Sequence, residues 1–170
     1  MRGKFRQIVL PVVLALLFSF GVPLRATTAE ALDAPQLKGI RLTAVADGKN
    51  ADAASLITGR PSCVVFVTPV CRMCKDQLRF LDGLSGSNVA VVAVFSGGLE
   101  RERLLAILRE EWGVRSVPAY VDESGALFRA FRIEGAPSSV LFDARGRQLR
   151  FIEGFPGGEA FQAALRQLGG

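Results

Sequence analysis

Apolar positions along the chain fall into runs of different kinds, and each kind predicts an element. Cys63–Val67 and Val89–Phe95 are continuous and β-branched, as central strands buried on both faces are. Three other stretches space their apolar residues by three and four, which predicts helices. The first runs from Cys71 to about Leu84, with Cys74, Leu78 and Leu81 on one face. The second, Leu99 to Trp112, puts Leu104, Leu105, Leu108 and Trp112 inside and Glu100, Arg101, Arg103, Arg109 and Glu110 outside, with Gly113 as its C-cap. The last, Glu159 to Leu168, carries Phe161, Leu165 and Leu168.

Shorter signals fill the gaps. Leu37 to Ala44 holds a first strand, Asp47–Asn50 a turn, and Leu56–Pro61 a connector ending in Gly59-Arg60-Pro61. Pro118–Val121 is a third strand, and Leu127 to Ile133 a short helix. Ser138–Phe142 and Leu149–Ile152 are strands joined by a hairpin at Ala144–Arg147. Strands alternating with helices predict parallel pairing, and the hairpin predicts an antiparallel edge. The expected class is α/β, a mixed central sheet flanked by helices on both faces.

The amino-terminal run differs. Arg2, Lys4 and Arg6 precede an uncharged stretch from Gln7 to Leu24, followed by small residues at Ala26 and Ala29. This is the layout of a bacterial secretory signal peptide cut after Ala29. The stretch 8–24 is also just long enough to anchor the chain in an inner membrane, although Pro11, Gly21 and Pro23 interrupt it. Either way the remainder is exported. The chain divides into a signal peptide or anchor (1–29), a linker (30–36) and one domain (37–170).

Charge then changes meaning. The net +5 of the 170 residues suggests a nucleic-acid partner, but Arg2, Lys4, Arg6 and Arg25 precede the first acid, Glu30, and leave 17 basic against 16 acidic residues beyond them. No nucleic-acid footprint is expected. The absence of histidine excludes Ser-His-Asp and Cys-His catalysis and His-ligated metals. Three cysteines are too few for a disulfide scaffold.

Two of them, in Cys71-Arg72-Met73-Cys74, follow a buried strand and open a helix. Free N–H groups and the helix dipole stabilise a thiolate there. Cys71, at the exposed mouth, is the expected nucleophile, and Cys74, one turn deeper, the resolving thiol. Other readings are a structural disulfide, a zinc half-site lacking its second pair of ligands, and a two-thiolate Cu(I) assembly module. A peroxiredoxin-like peroxidase is a further one: Thr68-Pro69-Val70-Cys71 fits Thr-x-x-Cys, but Val64 stands where those enzymes carry proline. Arg72 lowers the Cys71 pKa in this reading, and Met73 shares the tuning position. Cys63 reads as a small buried hydrophobe. Trp112 and Phe155 read as packing residues.

Val64–Cys74 together with Gly135–Gly146 resembles the thioredoxin superfamily, and within it the exported TlpA/ResA-type thiol–disulfide oxidoreductases. The likeness spans residues from about 37 to 168. It implies a thioredoxin-like fold, a cis Ala136–Pro137 peptide, and a substrate site shaped by Ala136 and Pro137. It also implies protein disulfide or dithiol substrates, as in cytochrome c or metalloprotein maturation, a periplasmic location, an electron donor in the membrane, and no bound cofactor. Departures are Val70 in place of the usual Trp, Gln77 where many relatives have Glu, and Val65 at the position of thioredoxin's buried acid. The proton of Cys74 is then left to water or to Asp76.

Overall fold

The computed structural model describes residues 31–84 and 87–169, so the expected leader at 1–29 lies outside the described residues. Among them no helix is long and apolar enough to cross a membrane. The strands are β1 (Arg41–Ala44), β2 (Asn50–Asp52), β3 (Ser62–Val67), β4 (Ala90–Ser96), β5 (Ala119–Asp122), β6 (Ser138–Phe142) and β7 (Gln148–Glu153). They form one sheet in the order β2-β1-β5-β4-β3-β6-β7. The helices are α1 (Arg72–Asp82), α2 (Arg101–Ala106), α3 (Ala126–Ala130) and α4 (Gly158–Arg166).

β3 pairs parallel to β4, and β4 to β5; β6 returns antiparallel to β3, and β7 to β6. Two crossovers of the same hand that step in the same direction leave their helices on the same face. Accordingly α1, α2 and α4 share one core with Cys63, Val65 and Val67 of β3. Val64 and Phe66 point the other way, into a core with Leu37, Leu42, Ile57, Leu127 and Phe142. Every residue of β3 is buried, which is why the strand reads as a continuous apolar run rather than an alternating one.

Several boundaries differ from expectation. The segment 30–36, read as a linker, is tied down over residues 32–36. Leu32 N–H donates to Gln148 Oε1 at 2.9 Å, Gln148 N–H to Asp33 Oδ1 at 2.9 Å, and Ala34 N–H to the Gly146 carbonyl at 2.8 Å. A 3-10 turn, Ala34–Leu37, buries both of its ends. The contact depends on Gly146: its φ is +75°, and a Cβ there would come within 2.5 Å of the Ala34 Cβ. The first strand is correspondingly shorter than Leu37–Ala44. It pairs with β2, whose three residues are too few to leave a periodic signal.

The helix expected over Leu99–Trp112 is α-helical only to Ala106; Ile107–Glu111 is π-helical. The wider turn, closed by Trp112 N–H on the Ile107 carbonyl at 2.8 Å, brings Ile107, Leu108 and Trp112 together into the core. Trp112 packs there against Phe95, with ring centroids 6.1 Å apart. The helix expected over Leu127–Ile133 is α3, shifted one residue earlier and ending at Ala130. The fully buried Asp122 starts it, accepting the backbone N–H groups of Ala126, Leu127 and Phe128 at 3.1, 2.8 and 3.0 Å. At the end of α1, Asp82 accepts three successive backbone N–H groups, those of Arg115, Ser116 and Val117. That fixes the helix against the loop entering β5.

Candidate active site

β3 ends at Val67, and the chain crosses Thr68-Pro69-Val70 to Cys71, the N-cap of α1. Cys71 N–H donates to the Thr68 carbonyl at 3.2 Å, and the Cys71 carbonyl accepts Lys75 N–H at 3.2 Å, the first helical bond. The Cys71 sulfur takes the place of a capping oxygen: Cys74 N–H donates to Sγ at 3.0 Å. The first turn of α1 contains no acidic residue to oppose a developing negative charge. Cys71 and Cys74 are joined as a disulfide, with Cα atoms 5.2 Å apart. Cys71 is half-buried, and Cys74 is fully buried on the inward face of α1.

The second half of the site comes from β6, the strand beside β3. The Ala136–Pro137 peptide is cis, and the Ala136 carbonyl oxygen lies 3.5 Å from Cys71 Sγ. Ser138 Oγ donates to the Gly135 carbonyl at 2.8 Å, and Gly154 N–H to the Pro137 carbonyl at 2.8 Å. These bonds hold the loop against β7. Antiparallel pairing of β3 and β6 is what brings residues 65 positions apart into contact.

Val70 is 96 % and Met73 52 % exposed, so the disulfide has an apolar rim, and Arg72 is exposed beside it. A groove of about 460 Å³ lies beside the loop that precedes Pro137. Phe131, Arg132, Glu134, Phe151 and Glu153 are among its walls. Asp76 is exposed and solvated.

Cys63 lies apart from the pair. It is the second residue of β3 and is wholly enclosed, and burial pushes its thiol well above the usual range. It therefore supplies no nucleophile near neutral pH. Phe155 packs between Phe80 and Phe161, with centroids 5.8 and 6.0 Å away.

One polar pair escaped the sequence reading. Gln77 is fully buried, and its Nε2 donates to the equally buried Ser139 Oγ at 2.8 Å. The bond joins the helix of the cysteines to the strand of Pro137. The available signal was a glutamine three residues after Cys74, hence on the inward face of the helix.

No family model matches the chain. Among curated proteins, the thiol:disulfide interchange protein DsbD of Ralstonia nicotianae is 27 % identical over 139 residues, which cover 78 % of this chain. The chain spans only 20 % of the length of that relative. Among solved structures, a secreted Mycobacterium tuberculosis disulfide oxidoreductase homologous to E. coli DsbE superposes with a TM-score of 0.63 at 18 % identity. That match covers 75 % of this chain and 95 % of the other. The exposed lipoprotein thioredoxin Etrx1 of Streptococcus pneumoniae gives 0.63 at 23 % identity, covering 75 % and 98 %. The fold is thioredoxin-like, a mixed seven-stranded sheet with helices on both faces.

Proposed function

We propose that the chain is an exported thiol–disulfide oxidoreductase whose reactive pair is Cys71 and Cys74. The observation that carries this reading is the position of Cys71 Sγ. It sits at an acid-free helix N-terminus, accepts Cys74 N–H, and faces the Ala136 carbonyl across 3.5 Å. A thiolate is stabilised there by the amide and the helix dipole. In the reducing direction the Cys71 thiolate attacks a substrate disulfide and expels one substrate thiolate, forming a mixed disulfide. Cys74 then loses its proton and attacks Cys71 Sγ, expelling the second substrate thiolate. Two electrons pass to the substrate, and the Cys71–Cys74 disulfide remains.

Ala136 presents its backbone beside the cysteines, where an extended substrate segment can pair, and Pro137 shapes the approach. The groove beyond Glu134 gives such a segment room to continue. The resemblance to TlpA/ResA-type proteins supports a periplasmic reductase of protein disulfides, recharged by a dithiol donor in the membrane. Residues 1–29 would serve as export signal or anchor.

A redox titration of the purified protein in glutathione buffers tests the reading. A potential near about −270 mV is the expected result and fits a dedicated reductase. One near about −120 mV would make the protein an oxidant and overturn the direction. Failure of the bridge to open and close at any poise would overturn the function itself.

Arg72 and Met73 tune the pair in this reading. Arg72→Ala raises the pKa of Cys71 by removing a neighbouring positive charge. Alkylation of Cys71 at neutral pH should slow about threefold, the size expected of a solvent-screened charge pair. An unchanged rate–pH profile would remove Arg72 from the tuning set.

A further inference from the structure

The end of the sheet away from the cysteines gathers arginines. β3 starts at Ser62, whose sheet partners are Ala90 at the start of β4 and Phe142 at the end of β6. The loops entering β3 and β4 and the β6–β7 hairpin therefore meet at this end. Cys71 follows the other end of β3, six residues or about 20 Å along the strand. Three shallow clefts run together at the arginine end. The first, of about 260 Å³, has Arg109 and Arg115 in its walls; the second, of about 200 Å³, shares Pro118 with it and adds Arg60. The third, of about 240 Å³, shares Leu84 and Val89 with the second and adds Arg166. No acidic residue is among the described walls of any of them, which are otherwise mainly apolar. Arg145 stands on the hairpin, which Gly59 N–H ties to the loop of Arg60 through the Ala144 carbonyl at 3.0 Å.

These five arginines are exposed, and none forms an ion pair among the described residues. The acids around them are mostly engaged: Asp82 by three backbone N–H groups, Glu111 by Arg103 at 2.9 Å, and Asp143 by Arg147 at 2.6 Å. Glu110 is the exception. From Glu30 onward the chain is nearly neutral, with 17 basic and 16 acidic residues, so positive charge is collected at one end rather than in general excess. The chain also enters the fold here. Leu32 N–H is bonded to Gln148 and Ala34 N–H to the Gly146 carbonyl, both at the hairpin. Residues 1–30 thus join the fold at the arginine end and not at the cysteine end.

We infer that this end is a docking surface for a membrane carrying anionic phosphate headgroups, with Cys71 and Cys74 held facing away from it. Guanidinium forks suit phosphate oxygens, and an anionic leaflet attracts each nearby arginine. The apolar cleft floors lie between the guanidinium groups, where the glycerol and upper acyl region of a lipid can settle. A cysteine pair turned outward stays open to protein substrates. The inference goes beyond the exchange reaction and does not rest on it, and it holds whether residues 1–29 are cut or retained.

Arginine modification by phenylglyoxal, read residue by residue by mass spectrometry, tests this on the full chain. The probes are vesicles of phosphatidylcholine alone and of phosphatidylcholine with phosphatidylglycerol in equal parts. The anionic vesicles should slow modification of Arg60, Arg109, Arg115, Arg145 and Arg166 roughly fivefold relative to the neutral ones, and the effect should fade as salt rises. Arg72 and Arg132, exposed near the cysteines, should react alike with both, which separates this docking from insertion of the leader. In the Arg60→Gln, Arg115→Gln, Arg166→Gln triple variant, protection of Arg109 and Arg145 should be lost while disulfide exchange with glutathione is unchanged. Equal modification with both vesicles would overturn the inference, and so would protection of Arg72 and Arg132 to the same degree as the five. Protection by polyglutamate but not by the anionic vesicles would assign the surface to an acidic protein partner and overturn it too. Absence of glutathione exchange in the unmodified protein would instead overturn the proposed function and leave this surface as inferred.

Discussion

Cys71→Ser should abolish the proposed disulfide exchange, while Cys74→Ser should stop it one step later with the substrate still attached. The asymmetry follows from placement. Cys71 is half-buried at the mouth of α1, its sulfur accepting a backbone N–H at 3.0 Å, whereas Cys74 is fully enclosed. A serine hydroxyl at position 71 stays protonated near neutral pH and is a far weaker nucleophile than a thiolate. Loss of insulin-disulfide reduction should be on the order of 1,000-fold or more, down to the rate of the uncatalysed reductant. Cys74→Ser leaves the attacking thiolate intact and removes the group that resolves the mixed disulfide. A covalent substrate adduct should accumulate and be visible by non-reducing mass analysis, and it should disappear in the Cys71→Ser, Cys74→Ser double variant. Adduct formation through Cys74 in the Cys71→Ser protein would reverse the assigned roles.

Phe66→Ala should cost about 4 kcal/mol of folding stability, without touching the chemistry directly. Phe66 is fully enclosed in β3, on the face opposite the cysteine helix. Its ring meets Phe128 edge-on at 5.0 Å and Phe131 at 5.6 Å. Truncation leaves a cavity whose walls are held by strands on both sides of β3 and by α3, so it cannot collapse freely. Against the 5–15 kcal/mol typical of a domain, that is a large fraction. Urea unfolding should show a lower midpoint at an unchanged slope. The glutathione equilibrium of the folded protein should hold, because Phe66 and the cysteines pack into separate cores. A loss below about 1 kcal/mol would mean that the Phe66 site is far looser than its contacts indicate.

The cysteine pair was legible from local pattern. A buried strand, a turn and a helix beginning at Cys71 are sequence-adjacent, and the chemistry of a helix N-terminus requires no distant partner. The central strands were legible for a similar reason: burial on both faces leaves an apolar run that no exposed element shares. Ser139 was not legible as a partner of Gln77, because nothing in the spacing of residues 62 positions apart reports a hydrogen bond. Asp122 was missed as the start of α3, since a lone aspartate before a turn reads as solvated until burial is known. Asp33 and Ala34 were read as linker. Their ordering depends on Gly146 and Gln148, which the hairpin delivers from more than 110 residues away.

By itself, then, the sequence determined the elements whose physics is local: the buried strands β3 and β4, the amphipathic faces of α1 and α4, and the helix-capping position of Cys71. Tertiary structure alone decided the strand order, which helices cover which face, the 3.5 Å approach of the Ala136 carbonyl to Cys71 Sγ, and the burial that pairs Gln77 with Ser139. Local elements follow from periodicity and capping within a few residues. The rest follows from strand pairing and burial, which depend on where distant segments meet and leave no periodic trace in the chain.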